Sequence, residues 1–191
     1  MSYNSLEIFL EDISKSDPID LVQKWLNTDL PHAFQTHTKY KKFLGRILLD
    51  WPDCLSMQVA GTSNWRYSLN PQKKYSEFHR GSDIDVVVVS PIYFEKTWIE
   101  LRSLHRRRWY SWPYQTRENV LRLGQNVYCG FISPKHIPDK SNGLRFTFVT
   151  MCNSYSNEIV GYRDVNMMFF KSHEDAIDYY VRGVRIAKRR S

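Results

Sequence analysis

Apolar and polar positions alternate along this chain so as to divide it into amphipathic helices around a few short apolar strands. Residues 5–14 place Leu6, Phe9, Leu10 and Ile13 at helical spacing. Asp17-Pro18 reads as an N-cap followed by proline at the first helical position, which predicts a second helix to about residue 26. A third is predicted from Pro31 to about residue 50, with Phe34, Tyr40, Phe43, Leu44, Ile47 and Leu48 for its buried side. Trp51-Pro52-Asp53 ends it. Residues 55–60 read as a strand stopped by Gly61. Residues 62–80, polar and turn-rich around Asn70-Pro71, read as a functional loop or insertion.

The most informative stretch follows: Gly81-Ser82-Asp83-Ile84-Asp85-Val86-Val87-Val88-Val89-Ser90. Its β-branched run predicts a short, buried strand over residues 83–89. Successive side chains on a strand alternate in direction, so Asp83 and Asp85 share one face at its mouth. Two carboxylates held there repel each other unless a cation lies between them. A hard divalent ion with oxygen ligands, Mg²⁺ (or Mn²⁺), meets that need, which makes Asp83 and Asp85 candidate metal ligands.

Beyond this strand the pattern predicts a helix over residues 91–107, rich in Phe94, Trp98, Leu101 and Leu104, and a shorter helical piece at 116–123. It then predicts a short strand at 127–132, a loop at 134–142, and strands at 144–151 and 165–170. Ser172, with Asp175 three residues on, predicts the start of a last helix reaching about residue 188.

At 191 residues, with 42% hydrophobic and 15% aromatic content, the chain suits one domain with a sizeable core. It divides into a helical part at 1–50, a sheet-containing core at 55–171, and a C-terminal helix with a basic tail at 172–191. No apolar run approaches the roughly 20 residues that span a bilayer, so no membrane partner is expected. The acidic, mixed first residues do not read as a signal or transit peptide. Cys54, Cys129 and Cys152 are scattered without metal-binding spacing and read as reduced thiols of a cytoplasmic protein.

The net charge of +7 is unevenly spread. Residues 1–20 carry five acids against Lys15, whereas residues 102–122 hold six arginines opposed only by Glu118. The tail from Arg182 to Arg190 adds five bases and no acid. His105-Arg106-Arg107-Arg108-Trp109-Tyr110-Ser111-Trp112 interleaves cations with aromatics. That makes Arg106, Arg107 and Arg108 candidates for binding RNA or DNA. The alternative is a solvated helix end whose arginines complement the helix dipole.

Ahead of the aspartate strand, Val59-Ala60-Gly61-Thr62-Ser63 runs an apolar strand end into glycine and hydroxyl residues. A glycine there lets backbone N–H groups approach a phosphate closely, and a hydroxyl can donate to it. A strand, a Gly-Thr-Ser turn and a second strand opening with Asp-x-Asp suit phosphoryl chemistry on a nucleoside triphosphate. At these residues the sequence resembles the DNA polymerase β-like nucleotidyltransferase superfamily. Its signature is an apolar residue, Gly, Gly or Ser, a spacer, and Asp-apolar-Asp-apolar. Gly61, Thr62 or Ser63, Asp83 and Asp85 stand at those places, and the resemblance covers about residues 55–90.

The resemblance implies an α+β fold, with a nucleotidyltransferase-like mixed sheet flanked by helices. It implies bound Mg²⁺ and an NTP substrate such as ATP held by Gly61, Thr62 and Ser63. The reaction would transfer a nucleoside monophosphate to a nucleic-acid, protein or small-molecule acceptor. Asp83 and Asp85 would be catalytic, with Asp164 as the best substitute for the family's third carboxylate. Two departures stand out. Gly61 and Asp83 lie 22 positions apart, about twice the commoner spacing, and residues 144–151, where a strand is expected, contain no acid. The alternative implied is a catalytically inactive nucleic-acid-binding module, or a subunit of a bacterial toxin–antitoxin or phage-defence assembly. A domain this small often lacks a substrate-closing second domain, so a protein partner or a second copy of the chain is expected to complete the site. The metal-binding Asp-x-Asp of glycosyltransferases fits less well, since those domains are generally larger and the Gly-Thr-Ser element favours the nucleotidyltransferase.

Overall fold

The structure, a computed structural model, describes residues 2–189; Arg190 of the basic tail lies outside them. Helix α1 (Leu6–Lys15) is capped by Ser5, whose hydroxyl accepts the Ile8 N–H, and it buries Phe9 and Ile13. Helix α2 (Pro18–Leu26) begins as its sequence requires. The Asp17 carboxylate accepts the Ile19 and Asp20 N–H groups, and Pro18 sits where no donor is lost.

Helix α3 runs His37–Asp50 and does not start at Pro31. Thr36 is its N-cap, and residues 31–36 form a turn closed by the Phe34 N–H on the Pro31 carbonyl. The His32 and Ala33 N–H groups donate to the Asn64 and Ser63 carbonyls. These long-range bonds hold the segment out of the helix, and local periodicity does not register them.

Strands β1 (Ser56–Ala60), β2 (Ile84–Val89), β3 (Phe131–Ile132) and β4 (Val165–Phe170) form one mixed sheet in the order β1-β2-β4-β3. Strand β2 is antiparallel to β1, with Ala60 opposite Asp85, and parallel to β4, with Asp85 beside Asn166. Its interior position explains the unbroken valine run, because both faces are covered. Ile84, Val86 and Val88 pack with Val59, Met167 and Phe169 on one face. Val87 and Val89 pack with Ala60, Phe170 and residues of α1 and α2 on the other. Each fully buried valine contributes roughly 1.5–3 kcal/mol relative to an exposed one.

Helix α5 (Pro91–Arg108) follows β2 directly, capped by Ser90, and α6 (Tyr114–Tyr128) follows after a single 3-10 turn. Both add apolar residues, among them Phe94, Leu101, Val120 and Leu123, to the Val86 face. The predicted strand at 127–132 therefore shrinks to Phe131–Ile132, since α6 runs on to Tyr128.

The predicted strand at 144–151 is instead helix α7 (Gly143–Tyr155). Its aromatic and β-branched composition favours a strand. The Asn142 cap and the burial of Phe148, Cys152 and Tyr155 on one helical face override it. The Trp51 indole donates to the Tyr155 hydroxyl, which donates to Asp50, so the end of α3 is tied to this helix. The last helix, α8 (His173–Lys188), starts at the Ser172 cap and covers the Val87 face with Ala176, Tyr180, Val181 and Val184.

Candidate active site

The site is built where β1 ends beside the start of β2. Gly61 adopts φ 65° and ψ −157° and opens the one-turn helix α4 (Thr62–Trp65). This backbone region is essentially glycine-only. Space favours glycine too, because a Cβ there would lie 2.6 Å from Asp85 Oδ2 and force that carboxylate to shift. The turn is pinned from below. The Asn64 side-chain amide donates to the Trp25 and Val59 carbonyls, and Ser63 Oγ donates to the Ala60 carbonyl at 2.7 Å.

Ser63 Oγ also accepts the Asp85 N–H at 3.3 Å, and the residue is fully buried. Its hydroxyl thus works inside the wall, joining β1 to β2, and does not face open space. Thr62, by contrast, lines two adjoining cavities. Of the two hydroxyls proposed from sequence, Thr62 is the one placed to meet a ligand.

Those cavities share Thr62, Ser68, Lys73 and Asp85. The smaller, about 280 Å³, is polar and adds Asp83, Ser82, His79 and Glu77. The larger, about 730 Å³, runs along the Val87 face of the sheet toward α8 and the end of α6. It is lined by Trp65, Tyr179, Tyr180, Arg182, Gln125 and Cys129. Residues 66–78 form the roof, as an excursion whose ends pair through the Tyr67–Glu77 bridge and the Phe78 N–H bond to the Arg66 carbonyl. The Arg66 guanidinium pairs with Glu77 at 2.6 Å and donates to the Tyr3 and Asn4 carbonyls. The Tyr75 hydroxyl reaches the Ala187 carbonyl on α8. The region read as an inserted loop is therefore a tethered roof that carries Lys73.

Asp85 is partly buried on the cavity floor. Burial first, and then the negative charge of Asp83, push its carboxyl up to about 6, while Lys73 and Lys135 pull the other way. Asp83 is exposed, and its Oδ2 accepts a 2.8 Å bond from the Asn166 amide. Asn166 Oδ1 in turn accepts from Lys135 Nζ at 2.8 Å. Tyr179 and Tyr180 also face Asp85 electrostatically. Burial raises both phenols, so each keeps its proton and can act only as a neutral hydrogen-bonding group.

Asp164 precedes β4, its carbonyl accepting the Ile84 N–H, and it is exposed. The β2–β4 register sets it level with Asp83, yet Asp83, Asp85 and Asp164 do not gather into a group that could hold a metal ion. Among the described residues no group of three or more His, Cys, Asp or Glu side chains could hold a metal ion. The residue beside Asp85 on β4 is Asn166. Asp83 and Asp85 are the two side chains that could ligate a divalent cation such as Mg²⁺, an ion that usually takes only one or two carboxylates from a protein. They do not make an all-protein cage.

Arg106, Arg107 and Arg108 lie in the last turn of α5, all exposed. Arg107 reaches Glu100 at 3.9 Å, and Arg108 reaches Asp139 at 3.4 Å. These arginines are therefore no part of either cavity. Sequence reasoning missed Asn166, Lys135, Ser68 and Arg182. Only Asn166 carried a local signal, a polar residue between Val165 and Met167 on an apolar strand.

Comparison of the chain with known protein families, with characterised proteins and with solved structures finds no match. Among the described residues no helix is long and apolar enough to cross a membrane.

Proposed function

We propose that the protein is a nucleotidyltransferase that binds a nucleoside triphosphate with Mg²⁺ or Mn²⁺ at Asp83 and Asp85. The observation that carries the reading is the Asp83–Asp85 pair itself. Two like charges are held on one strand face, one carboxylate is pushed toward neutral pH, and a glycine backbone is pressed against it. Lys73 and Lys135 offset only part of this repulsion, since Asp85 stays raised, so the pair costs stability unless a further cation joins it. The strand arrangement supports the reading as well. The Asp-x-Asp strand is central, antiparallel to the strand that ends in Gly-Thr-Ser and parallel to β4.

In this reading Asp83 and Asp85 hold the ion, with Asn166 orienting Asp83 through the 2.8 Å bond. Thr62 and Lys73 face the phosphates from the edge that the two cavities share. The ion would neutralise phosphate charge and polarise the α-phosphorus toward attack. The acceptor hydroxyl would give its proton to water as its oxygen bonds to that phosphorus, and the bond from the α-phosphorus to the bridging oxygen would break to release pyrophosphate. The excursion over residues 66–78 and the side chains of Trp65, Tyr179 and Tyr180 wall the larger cavity, which stays open to solvent along one side.

The second reading, a nucleotidyltransferase-like module without turnover, is favoured by one observation: an amide, Asn166, stands beside Asp85 where a third acid would complete the set. The two separate in one experiment. The protein is incubated with each α-³²P-labelled NTP and Mg²⁺, with RNA, DNA and cell protein as acceptors, beside Asp83→Ala/Asp85→Ala protein. Label transferred by the wild type alone is the expected result. Triphosphate binding without transfer to any acceptor would leave the second reading.

A further inference from the structure

We propose that the corner where α5 meets α6 is a binding surface for single-stranded nucleic acid. This goes beyond the catalytic reading and stands without it, since none of its residues lines either cavity at Asp85. Arg102, Arg106, Arg107 and Arg108 are all exposed on the α5 side of the corner. Among the described residues only Arg107 and Arg108 of these have acidic partners, at 3.9 and 3.4 Å, and each keeps more than half of its side chain open to solvent. Pairs of that length and exposure bind weakly and leave the guanidinium available.

The aromatics decide what the cations meet. Tyr110 is 94% exposed and Tyr114 is 70% exposed, on either side of the Trp112-Pro113 bend. Neither ring contributes to the core, so packing does not account for them. Beside them Trp109 lies tilted by 37° against His105 at 4.5 Å and carries Arg117 over its ring at 6.0 Å, while Arg102 lies over Trp98. Guanidinium groups on ring faces, next to open tyrosines, match the stacking-plus-phosphate pattern of single-strand recognition. A duplex hides its base faces and would leave both tyrosines idle. An acidic protein offers charge but no bases to stack.

The surface also has a route to the carboxylates. Arg108 is paired to Asp139, four positions after Lys135, and Lys135 holds Asn166 against Asp83. A strand on the corner would thus lie next to the segment that borders the site.

The test is fluorescence anisotropy of the full chain with short labelled single-stranded RNA and DNA oligonucleotides and with the matching duplex. Salt is titrated from about 50 to 200 mM. Binding to single strands over duplex is expected, with a log–log salt slope that falls by about 0.7 for each phosphate-contacting arginine removed in Arg106→Ala/Arg107→Ala. Tyr110→Ala, which removes no buried contact, is expected to weaken single-strand binding about tenfold with the salt slope unchanged. Comparing the RNA and DNA arms identifies the natural strand. Loss of binding only in the arginine variant, with equal capture of polyglutamate or anionic vesicles, would reduce the surface to a general polyanion patch and overturn the proposal. No binding at the lowest salt would overturn it as well. Since Asp83→Ala/Asp85→Ala is expected to bind strands normally, failure here and failure of the catalytic reading are read separately.

Discussion

Gly61 and Asp85 are close-fitted: a Cβ on Gly61 would come within 2.6 Å of Asp85 Oδ2, so the carboxylate would have to turn aside to admit it. The strand-ending glycine is therefore a fitted part of the carboxylate site as well as a turn. Its backbone, at φ 65° and ψ −157°, adds a second reason for glycine that is independent of Asp85.

Gly61→Ala consequently carries two penalties, one steric and one conformational. A loss of about 2–4 kcal/mol in unfolding free energy is expected by denaturant titration. In Gly61→Ala/Asp85→Ala the clash disappears while the backbone penalty of about 1–3 kcal/mol remains. The double variant should therefore lie closer to Asp85→Ala than additivity predicts. Strict additivity would show that the contact has no energetic weight.

Asp85→Asn should stabilise the protein at neutral pH. Burial and Asp83 raise the native carboxyl to about 6, so between the ordinary aspartate value of 3.8 and about 6 the native state binds more protons than the unfolded chain. Stability then falls as pH rises through that window, and the full penalty is present above it. Removing the charge should recover about 1–2 kcal/mol at pH 7.5, allowing for water in the cavity, and nothing below the window. Thermal melts of the two proteins across pH decide it. A variant less stable than wild type at pH 7.5 would mean that Lys73 and Lys135 already outweigh the repulsion.

Much of this architecture is legible from residues near one another in sequence. Asp17-Pro18, Ser90-Pro91 and Ser172 mark helix starts that the structure keeps, and the valine run identifies the central strand. The errors come from contacts across the fold. Residues 31–36 are held as a turn by Asn64 and Ser63, and α7 hides under a strand-like composition because Phe148, Cys152 and Tyr155 pack on one side. At the site, the Asp83–Asp85 face was readable from strand alternation. The pairing of Asp85 with Asn166 depends on the β2–β4 register, and Lys135 arrives only because the chain after β3 runs back along β4. Neither leaves a trace within a few residues of the motif.

His32 is expected to make stability fall on mild acidification. Burial, then the Arg66 charge, hold its imidazole below the usual histidine range, with Glu77 opposing. The neutral ring is edge-on to Phe78, and one nitrogen is 2.7 Å from Ser2 Oγ. A histidine with a lowered native pKa contributes stability that is present above the unfolded value of 6.5 and lost as pH falls through it, because the unfolded chain then binds the extra proton. His32→Gln should flatten the melting temperature between pH 7 and 5, the range in which free histidine charges. An unchanged slope would assign that pH dependence to other groups.

Asn166→Asp tests what the amide does beside the carboxylates. Asn166 donates to Asp83 and accepts from Lys135, so it is the neutral link between an anion and a cation. Replacing it with a carboxylate removes the donor to Asp83 and adds a third negative charge to a face that already raises Asp85. Without metal the variant should melt lower at neutral pH, with Lys135 offsetting part of the loss. With metal the order should invert, because three acids hold a divalent ion more strongly than two. Mn²⁺ alone, followed by electron paramagnetic resonance, should bind about tenfold more tightly, or ~1.4 kcal/mol. Asn166→Ala separates the effects, since it loses both hydrogen bonds without adding charge, and it should melt lower with no gain in Mn²⁺ affinity. If Asn166→Asp melts like the wild type and binds Mn²⁺ no better, the three side chains do not share one electrostatic site.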